Sequence, residues 1–273
     1  MRLYKILISL FSGAFLLLAR VQAQTPQQEE LEQTGLAFSS AEQDRDWNFA
    51  AGGGFSVGPT YEGAKSDRVR PIPLFSLSYR DRVTLGPAGL RVNLLQDDGF
   101  RFGPLLGYFN GRSENDDSHL RGLGDIQPSF AAGVFSSYDC GPFEITGTLR
   151  QAVTHTNYGL LSTAQLDYRL PKLFGDAVQI VIGPDLDYAD ALYNRTWFGI
   201  SPGQSAQSGF SEYSPGAGIK DYGLHGSVTY LLGENLLLRG FASAKQLAGD
   251  IADSPVVERR TQSVFGFGIA YRF

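Results

Sequence analysis

The sequence predicts an all-β protein, a single antiparallel transmembrane β-barrel of twelve strands, with ten strands as the alternative. Three observations lead to this fold class. Large apolar residues alternate with small or polar ones after residue 46, the connections alternate between short and long, and aromatic residues recur near both strand ends. A period of two is the strand period, and short periplasmic turns, longer outer loops and aromatic girdles are typical of outer-membrane barrels.

The first 23 residues have the pattern of a secretory signal peptide. Two basic residues precede the apolar run 6–19, and a small-x-small sequence ends at Ala23, after which we expect cleavage. The polar segment 24–46 predicts a periplasmic lead-in, and the barrel is expected to occupy residues 47–273. An exported barrel of this kind predicts location in the cell outer membrane, with outer-membrane lipid as its surroundings.

Composition narrows the function classes. Removing the three cations Arg2, Lys5 and Arg20 with the signal peptide changes the net charge from -5 to -8. An acidic chain offers no electrostatic surface for nucleic acid, so we expect no nucleic-acid partner. The 33 glycines, 13 tyrosines and 19 phenylalanines favour β structure, and the single cysteine, Cys140, cannot form an internal disulfide.

The amino-terminal strands are the least regular. Residues 47–57 alternate cleanly, and a second strand follows over 69–79. That strand contains Pro71 and Pro73, which would break a central ladder, so an edge-like or irregular position is expected. The segment 86–89 (Gly-Pro-Ala-Gly) is either a tight hairpin between two short strands, giving twelve strands, or a bulge within one, giving ten.

The later strands are more regular. They are predicted over 100–108, 126–138, 143–153, 158–170, 178–188, 222–232, 236–246 and 264–273. The strand 236–246 is less clean because Phe241 falls on its polar face. Short turns are expected at 97–99, 139–141, 173–176 and 233–235, and long loops at 111–124, 191–213 and 248–260, with a tight connection at 155–157 as the exception among the long ones. Aromatic residues near strand ends predict the two girdles: Tyr138, Phe143, Tyr158, Tyr168, Tyr188, Tyr222, Tyr230, Tyr271 and Phe273.

The last strand carries the clearest dyad. Its alternate residues are all large and apolar: Phe265, Phe267, Ile269, Tyr271 and Phe273. This face is predicted to contact lipid and to form the signal that the barrel assembly machinery reads at the end of the chain.

The opposite, inward faces of the strands carry charges of both signs. The predicted lumen network consists of Arg101, Glu144, Arg150, Asp167, Arg169, Asp185, Asp187, Asp221, His225, Arg239, Lys245 and Arg272. Mixed charges in a confined interior should pair, which favours a narrow or plugged lumen over an ion-selective pore. A small diffusion or ligand-binding pore is the alternative.

Enzyme and metal chemistry have little support in the sequence. His155 lies at a predicted rim with Ser162 on the next strand, but no acid is evident on that face to orient the pair. The carboxylate pairs Asp116/Asp117 and Asp185/Asp187 are interpreted as a solvated loop and a salt-bridged lumen rather than ion ligands. We expect no catalytic residues, no metal and no cofactor.

Several segments in order resemble the MipA/OmpV family of outer-membrane proteins. They are 58–63 (GPTYEG), 120–126 (LRGLGDI), 138–143 (YDCGPF), 197–200 (WFGI), 208–210 (SGF) and 248–257 (AGDIADSPVV). The resemblance implies a non-enzymatic barrel that acts as a scaffold for peptidoglycan synthesis and remodelling, with a lytic transglycosylase and a peptidoglycan synthase as partners. It offers no catalytic residues to carry over. A surface adhesin is a further alternative, because other members of the family are described in that way.

Overall fold

A computed structural model describes residues 46–171 and 175–273 as a closed antiparallel β-barrel. The strands are β1 (Trp47–Pro59), β2 (Asp67–Tyr79), β3 (Val83–Gly86), β4 (Gly89–Val92), β5 (Leu95–Asp97), β6 (Phe100–Phe109), β7 (Ser129–Cys140), β8 (Phe143–Ala152), β9 (Leu160–Arg169), β10 (Val178–Ala189), β11 (Gly218–Leu232), β12 (Leu236–Leu247) and β13 (Thr261–Arg272). Each strand pairs with its neighbours in sequence except that β4 and β5 do not pair with each other; β1 pairs with β13, and β4 pairs with β6. Twelve strands therefore form the wall, as predicted, and β5 is an extra strand paired with β6.

The twelve-strand count depends on the hairpin between β3 and β4. Gly86 pairs with Gly89, so the Gly-Pro-Ala-Gly segment is a tight turn rather than a bulge. Gly89 has a φ of 111°, a conformation that favours glycine. The register on β6 then moves by one residue between β4 and β5, so these two strands form one irregular strand with a bulge at 93–94.

The outward faces of the strands form a continuous apolar surface. Its exposed members include Trp47, Phe55, Val69, Phe100, Phe130, Ile145, Leu149, Ile182, Leu224, Val228, Phe265, Phe267, Ile269 and Tyr271. Water would disfavour so much exposed apolar area, whereas hydrocarbon solvates it. The barrel is therefore an outer-membrane protein whose predicted dyads are confirmed. One girdle assignment is wrong: Tyr158 is buried among the loops, where its hydroxyl accepts a hydrogen bond from the Gln127 N–H.

Glycines shape the inner face where β1, β2 and β13 meet. The side chain of Phe241 lies over Gly266, and the side chain of Leu74 crosses β1 to reach Gly268. Both side chains are buried in an apolar cluster with Ala50, Ile72, Val264 and Ala270. Phe241, on the polar face of its strand, therefore packs in the lumen, where it fills space beside the glycine-rich wall.

The connections at one end are short and those at the other are long. The long ones contain α1 (Ala191–Phe198), α2 (Pro202–Ser208), α3 (Gly249–Ala252) and single 3-10 turns at Ser118–Leu120 and Thr156–Tyr158. The sequence prediction of plain loops was therefore incomplete over 191–213. Asp190 caps α1, and Ser201 forms a capping box with Gln204 at the start of α2. Within the part of the chain described, no helix has the length and apolar character needed to cross a membrane.

Three sequence predictions concern residues outside the described ranges. The signal peptide and nearly all of the lead-in fall in residues 1–45, and part of the turn predicted at 173–176 falls in residues 172–174.

The carboxyl-terminal residue contacts the first strand. Phe273 stacks on Phe49 with ring centroids 5.2 Å apart, and its N–H donates to the Phe49 carbonyl at 2.9 Å. We predict that deleting Phe273 reduces the amount of heat-modifiable barrel in outer-membrane fractions, because this contact between β13 and β1 is lost. Phe265→Ala, which truncates an equally exposed aromatic in the same strand, is the control. Normal levels of folded barrel in the deletion variant would contradict the prediction.

Candidate functional site

A cluster of opposite charges fills the lumen near the long-loop end. The ammonium group of Lys245 on β12 lies 3.1 Å from Asp185, 2.9 Å from Asp187 and 3.5 Å from Asp221. All four side chains are buried. The three carboxylates lie close enough together to hold a metal ion, but the lysine ammonium already compensates their charge. This arrangement is a buried salt-bridge network, which is the interpretation that the sequence favoured for Asp185 and Asp187.

Lys220 belongs to the same cluster and was missed by the sequence analysis. Its ammonium lies 2.5 Å from Asp221 and 2.5 Å from Glu62, a residue of the β1–β2 connection. The ladder between β10 and β11 pairs Asp187 with Asp221 and then shifts, so Lys220 is the extra residue of a β-bulge. Because of the bulge, the successive side chains of Lys220 and Asp221 both point inward, and a strict alternation of inward and outward residues cannot predict this.

A second group lies deeper in the lumen around His225. Its Nε2 is 2.7 Å from Asp167 and its Nδ1 is 3.2 Å from Asp185, so a doubly protonated ring can donate to both carboxylates. Asp185 therefore connects the histidine with Lys245. Arg239, further along the same wall, donates to the hydroxyls of Thr229 and Ser227.

A third group, the rim cluster, lies at the short-turn end. Arg101 contacts Asp139 at 2.9 Å and Glu144 at 2.6 Å, and Arg169 forms salt bridges with the same two carboxylates. The four side chains form a closed ring of alternating charge. Asp139 was assigned to a turn from the sequence, yet its side chain completes this ring.

Two predicted lumen residues lie apart from these groups. Arg150 is buried with its guanidinium over the ring of Phe109 at 5.7 Å. Arg272 lies at the short-turn end, where its guanidinium donates to the carbonyl of Glu234 in the β11–β12 turn. Apart from Arg150, the predicted charges from β6 to β12 thus belong to the lumen side of these strands and their groups, whereas the arginine of β13 holds a turn.

The long loops fold together into a cap over the barrel. The loop cap comprises residues 60–66, 110–128, 153–159, 190–217 and 248–260, and its apolar centre contains Tyr61, Ala64, Leu120, Leu123, Ile200 and Val256. The Tyr61 hydroxyl donates to the Val256 carbonyl at 3.0 Å. Burial and the nearby Glu258 carboxylate raise the pKa of Tyr61 well above its usual range, so this donor stays protonated. His155, a sequence candidate for catalysis, stacks on Tyr158 within the cap.

Asp117 holds two loops of the cap together. Its carboxylate accepts hydrogen bonds from Thr60 at 3.0 Å and from Ser66, and from the His119 N–H at 3.1 Å. Burial alone would raise the pKa of Asp117, but these hydrogen bonds outweigh it and lower the pKa below 3.8. The ionised Asp117 therefore stabilises the folded cap fully at pH values above the ordinary carboxyl pKa. This stabilisation is lost as the pH falls through the lowered pKa of Asp117.

We predict that Asp117→Asn loosens the cap at neutral pH by about 1–2 kcal/mol, because a neutral amide accepts these hydrogen bonds more weakly. External protease should then cleave the β6–β7 loop several-fold faster in intact cells. Glu212→Gln, which changes an exposed loop carboxylate, is the control. In wild-type protein the same acceleration should appear only at strongly acidic pH. Unchanged cleavage in the Asp117 variant would show that the carboxylate does not hold the loops.

Comparisons with known proteins give consistent descriptions. A family model described as MltA-interacting protein MipA matches residues 51–273. The MltA-interacting protein of Escherichia coli strain K12 is 23% identical over 61% of this chain and 65% of its own length. A candidate outer membrane protein of the same organism, YiaT, is 30% identical over 32% of this chain. The chain thus spans 35% and 65% of these two relatives. OprB of Pseudomonas putida, a solved structure, gives a TM-score of 0.40 at 13% identity, covering 74% of this chain and 49% of that one.

Proposed function

The chain belongs to the MltA-interacting protein MipA family, and on this premise we propose that it is a non-enzymatic outer-membrane scaffold for enzymes that synthesise and remodel peptidoglycan. A lytic transglycosylase is the first expected partner, since the family and a curated relative are named for interacting with MltA. A peptidoglycan synthase is the second partner.

The salt bridges inside the lumen are the observation that carries this proposal. Buried salt bridges occupy the barrel at the long-loop end, the rim cluster occupies the short-turn end, and the loop cap packs over the outside. Salt bridges at both ends of the lumen narrow any passage, which supports a function carried by the surfaces of the barrel. Function then depends on what the periplasmic and external faces bind, which fits a scaffold better than a transporter.

The periplasmic face has a protruding element suited to binding. β5 pairs with β6 alone in the ladders described, and its first residue Leu95 and the preceding Leu94 are exposed at the short-turn end. The exposed carboxylates of Asp97, which ends β5, and Asp98, in the following turn, lie two and three positions after Leu95. Apolar side chains next to carboxylates, on a strand with one open edge, form a small surface that a periplasmic protein can contact.

Affinity capture from cross-linked envelopes tests the proposal. The intact protein should recover lytic transglycosylases or peptidoglycan synthases, and a Leu94→Asp/Leu95→Asp variant should recover several-fold less. Lys65→Asp, at an exposed position in the loop cap at the opposite end, is the matched control and should behave like the wild type. Recovery of neither enzyme class by correctly inserted wild-type protein would contradict the scaffold function.

A diffusion pore is the second candidate, favoured only by the polar character of the lumen side chains. Planar-bilayer recordings should show no conductance above background if the lumen is filled as described. Stepwise conductance from purified, heat-modifiable protein would replace the scaffold proposal with transport.

A further inference from the structure

The barrel wall is much lower at one position than elsewhere. β1 and β2 each have 13 residues, whereas β3 and β4 have four each. At about 3.3 Å per residue, the β3–β4 hairpin rises only ~13 Å, roughly half of an apolar band of about 25 Å. The hairpin begins at the short-turn end, so the missing half of the wall lies in the outer leaflet.

The strands on either side leave an opening above the hairpin. β2 pairs with β3 only over Leu77–Tyr79, and β4 pairs with β6 only at Leu90↔Leu106 and Arg91↔Leu105. Within the described ladders, residues 67–76 of β2 thus have β1 as their only strand partner. The β6–β7 loop closes the opening from above, where Asp116 contacts Arg68 at 3.5 Å. We call this opening the wall notch.

On the β2 side of the wall notch, the backbone has fewer N–H donors than an ordinary strand edge. The Thr60 N–H donates to the Ser66 carbonyl, and the Arg80 N–H donates to the Asp46 carbonyl. These two residue pairs lie just beyond the two ends of the β1–β2 ladder and continue its register. Hydrogen-bonded pairs alternate along an antiparallel ladder, so the even-numbered residues of β2 bond to β1. The odd-numbered residues then point into the notch, and two of them are Pro71 and Pro73. Proline has no N–H, so two donors that hydrocarbon could not satisfy are absent.

The side chains around the notch are apolar and continue the lipid-facing surface. Val69, on the β2 side of the opening, is 62% exposed, and Leu106, on β6 where the hairpin ends at its pair with Leu90, is 54% exposed. On the inner faces of the same two strands, the side chains of Ile72, Leu74, Leu105 and Phe109 are buried, so the lumen side of the notch is also apolar. A partner strand would need the N–H donors that the prolines lack, which disfavours a second copy of the chain at this edge.

We propose that the wall notch is a binding site for one acyl chain of an outer-leaflet lipid. The chain lies between β2 and β6 above the β3–β4 hairpin and completes the wall in place of the missing strand segments. The site is independent of the scaffold proposal, because it uses the membrane-facing wall.

Photo-cross-linking tests the site. Purified full-length protein is reconstituted in phosphatidylethanolamine and phosphatidylglycerol vesicles with a trace of phosphatidylglycerol carrying a diazirine in its acyl chain. Cross-links are then mapped by mass spectrometry. Leu186 is the matched reference, since it lies three residues from the loop end of β10 as Leu106 does on β6, and both face outward. We expect several-fold more cross-linked lipid at Leu106 and Val69 than at Leu186.

A variant that fills the notch makes the test specific. Val69→Trp should abolish the excess at Leu106, whereas Leu186→Trp should leave it unchanged, and heat-modifiability verifies that both variants fold. Equal cross-linking at Leu106, Val69 and Leu186 in the wild type would overturn the proposal, because it would mean ordinary lipid contact. Protein–protein cross-links through residues 67–76 would also overturn it, in favour of a second copy of the chain.

Discussion

Replacing Lys245 with methionine should destabilise the folded barrel by about 3–5 kcal/mol, because it leaves buried carboxylates without their cation. The Lys245 ammonium contacts three buried aspartates, and those three side chains lie within reach of one another. Removal of one partner of a buried network costs more than the pair itself contributes, since the remaining charges stay desolvated. Lys220 contacts only part of the group and cannot replace Lys245 at Asp185.

The measurement is urea-induced unfolding in lipid vesicles, followed by tryptophan fluorescence. Lys65→Met is the matched control, since this lysine forms a single salt bridge with Glu258 and its side chain is 74% exposed. Exposed pairs contribute about 0–1 kcal/mol, so this control should unfold close to the wild-type urea concentration. Equal unfolding midpoints for Lys245→Met and Lys65→Met would show that the lumen network does not stabilise the barrel.

Gly52→Ala should reduce the stability of the barrel by about 1–3 kcal/mol and slow its insertion, because the added methyl group has no space. A Cβ atom at Gly52 would lie 1.9 Å from the Ile269 carbonyl oxygen and 2.5 Å from the Cα of Ala270. Both contacts are to the backbone of β13, which cannot rotate away as a side chain could. The substitution therefore forces β1 and β13 apart at the position where the barrel closes.

Gly240→Ala is the control for this prediction. Gly240 also lies in the middle of a strand, and a Cβ there would have no atom of the described residues within 4 Å. Both variants lose the same glycine flexibility, so the difference between them isolates the steric clash. The fraction of heat-modifiable protein and the thermal midpoint are the readouts. Similar values for the two variants would mean that the β1–β13 seam can relax around a methyl group.

The alternation of apolar with small or polar residues predicted the strands of the barrel wall well, because strand geometry fixes a side-chain period of two. From Trp47 to Tyr271, large apolar side chains at alternate positions point outward with few exceptions. The exceptions are local. At Lys220 a β-bulge adds one residue, and nothing in the surrounding sequence distinguishes that residue from a regular strand position. The inward direction of its side chain depends on the pairing with β10, which only the folded ladder defines.

The cap could not be predicted in the same way. Tyr61 and Val256 are 195 positions apart, and both lie in connections without a repeating pattern. Sequence periodicity gives no information about which loops meet, so Tyr158 was assigned to a girdle. The helices within residues 191–213 did have readable signals. Ser201, Pro202 and Gln204 form a helix start that the loop assignment overlooked.

The open edge of β2 could be predicted only in part from its two prolines. Pro71 and Pro73 predicted an edge-like or irregular strand, and residues 67–76 do lack a second strand partner in the described ladders. Which part of the strand is open depends on the length of the neighbouring hairpin. That length was ambiguous in the sequence because a Gly-Pro-Ala-Gly segment can be a turn or a bulge.

The cap spans the seam at which the barrel closes, and this gives it a kinetic role. The Gly63 carbonyl accepts the N–H groups of Glu258 and Arg259, and Arg259 also forms a salt bridge with Asp67 at 2.6 Å. These contacts join the β1–β2 and β12–β13 connections, which lie at the outer end of the eight residue pairs between β1 and β13. The first and last strands cannot separate from the outer end until the cap has opened. The cap should therefore act as a latch that lengthens the lifetime of the inserted barrel without changing how it first assembles.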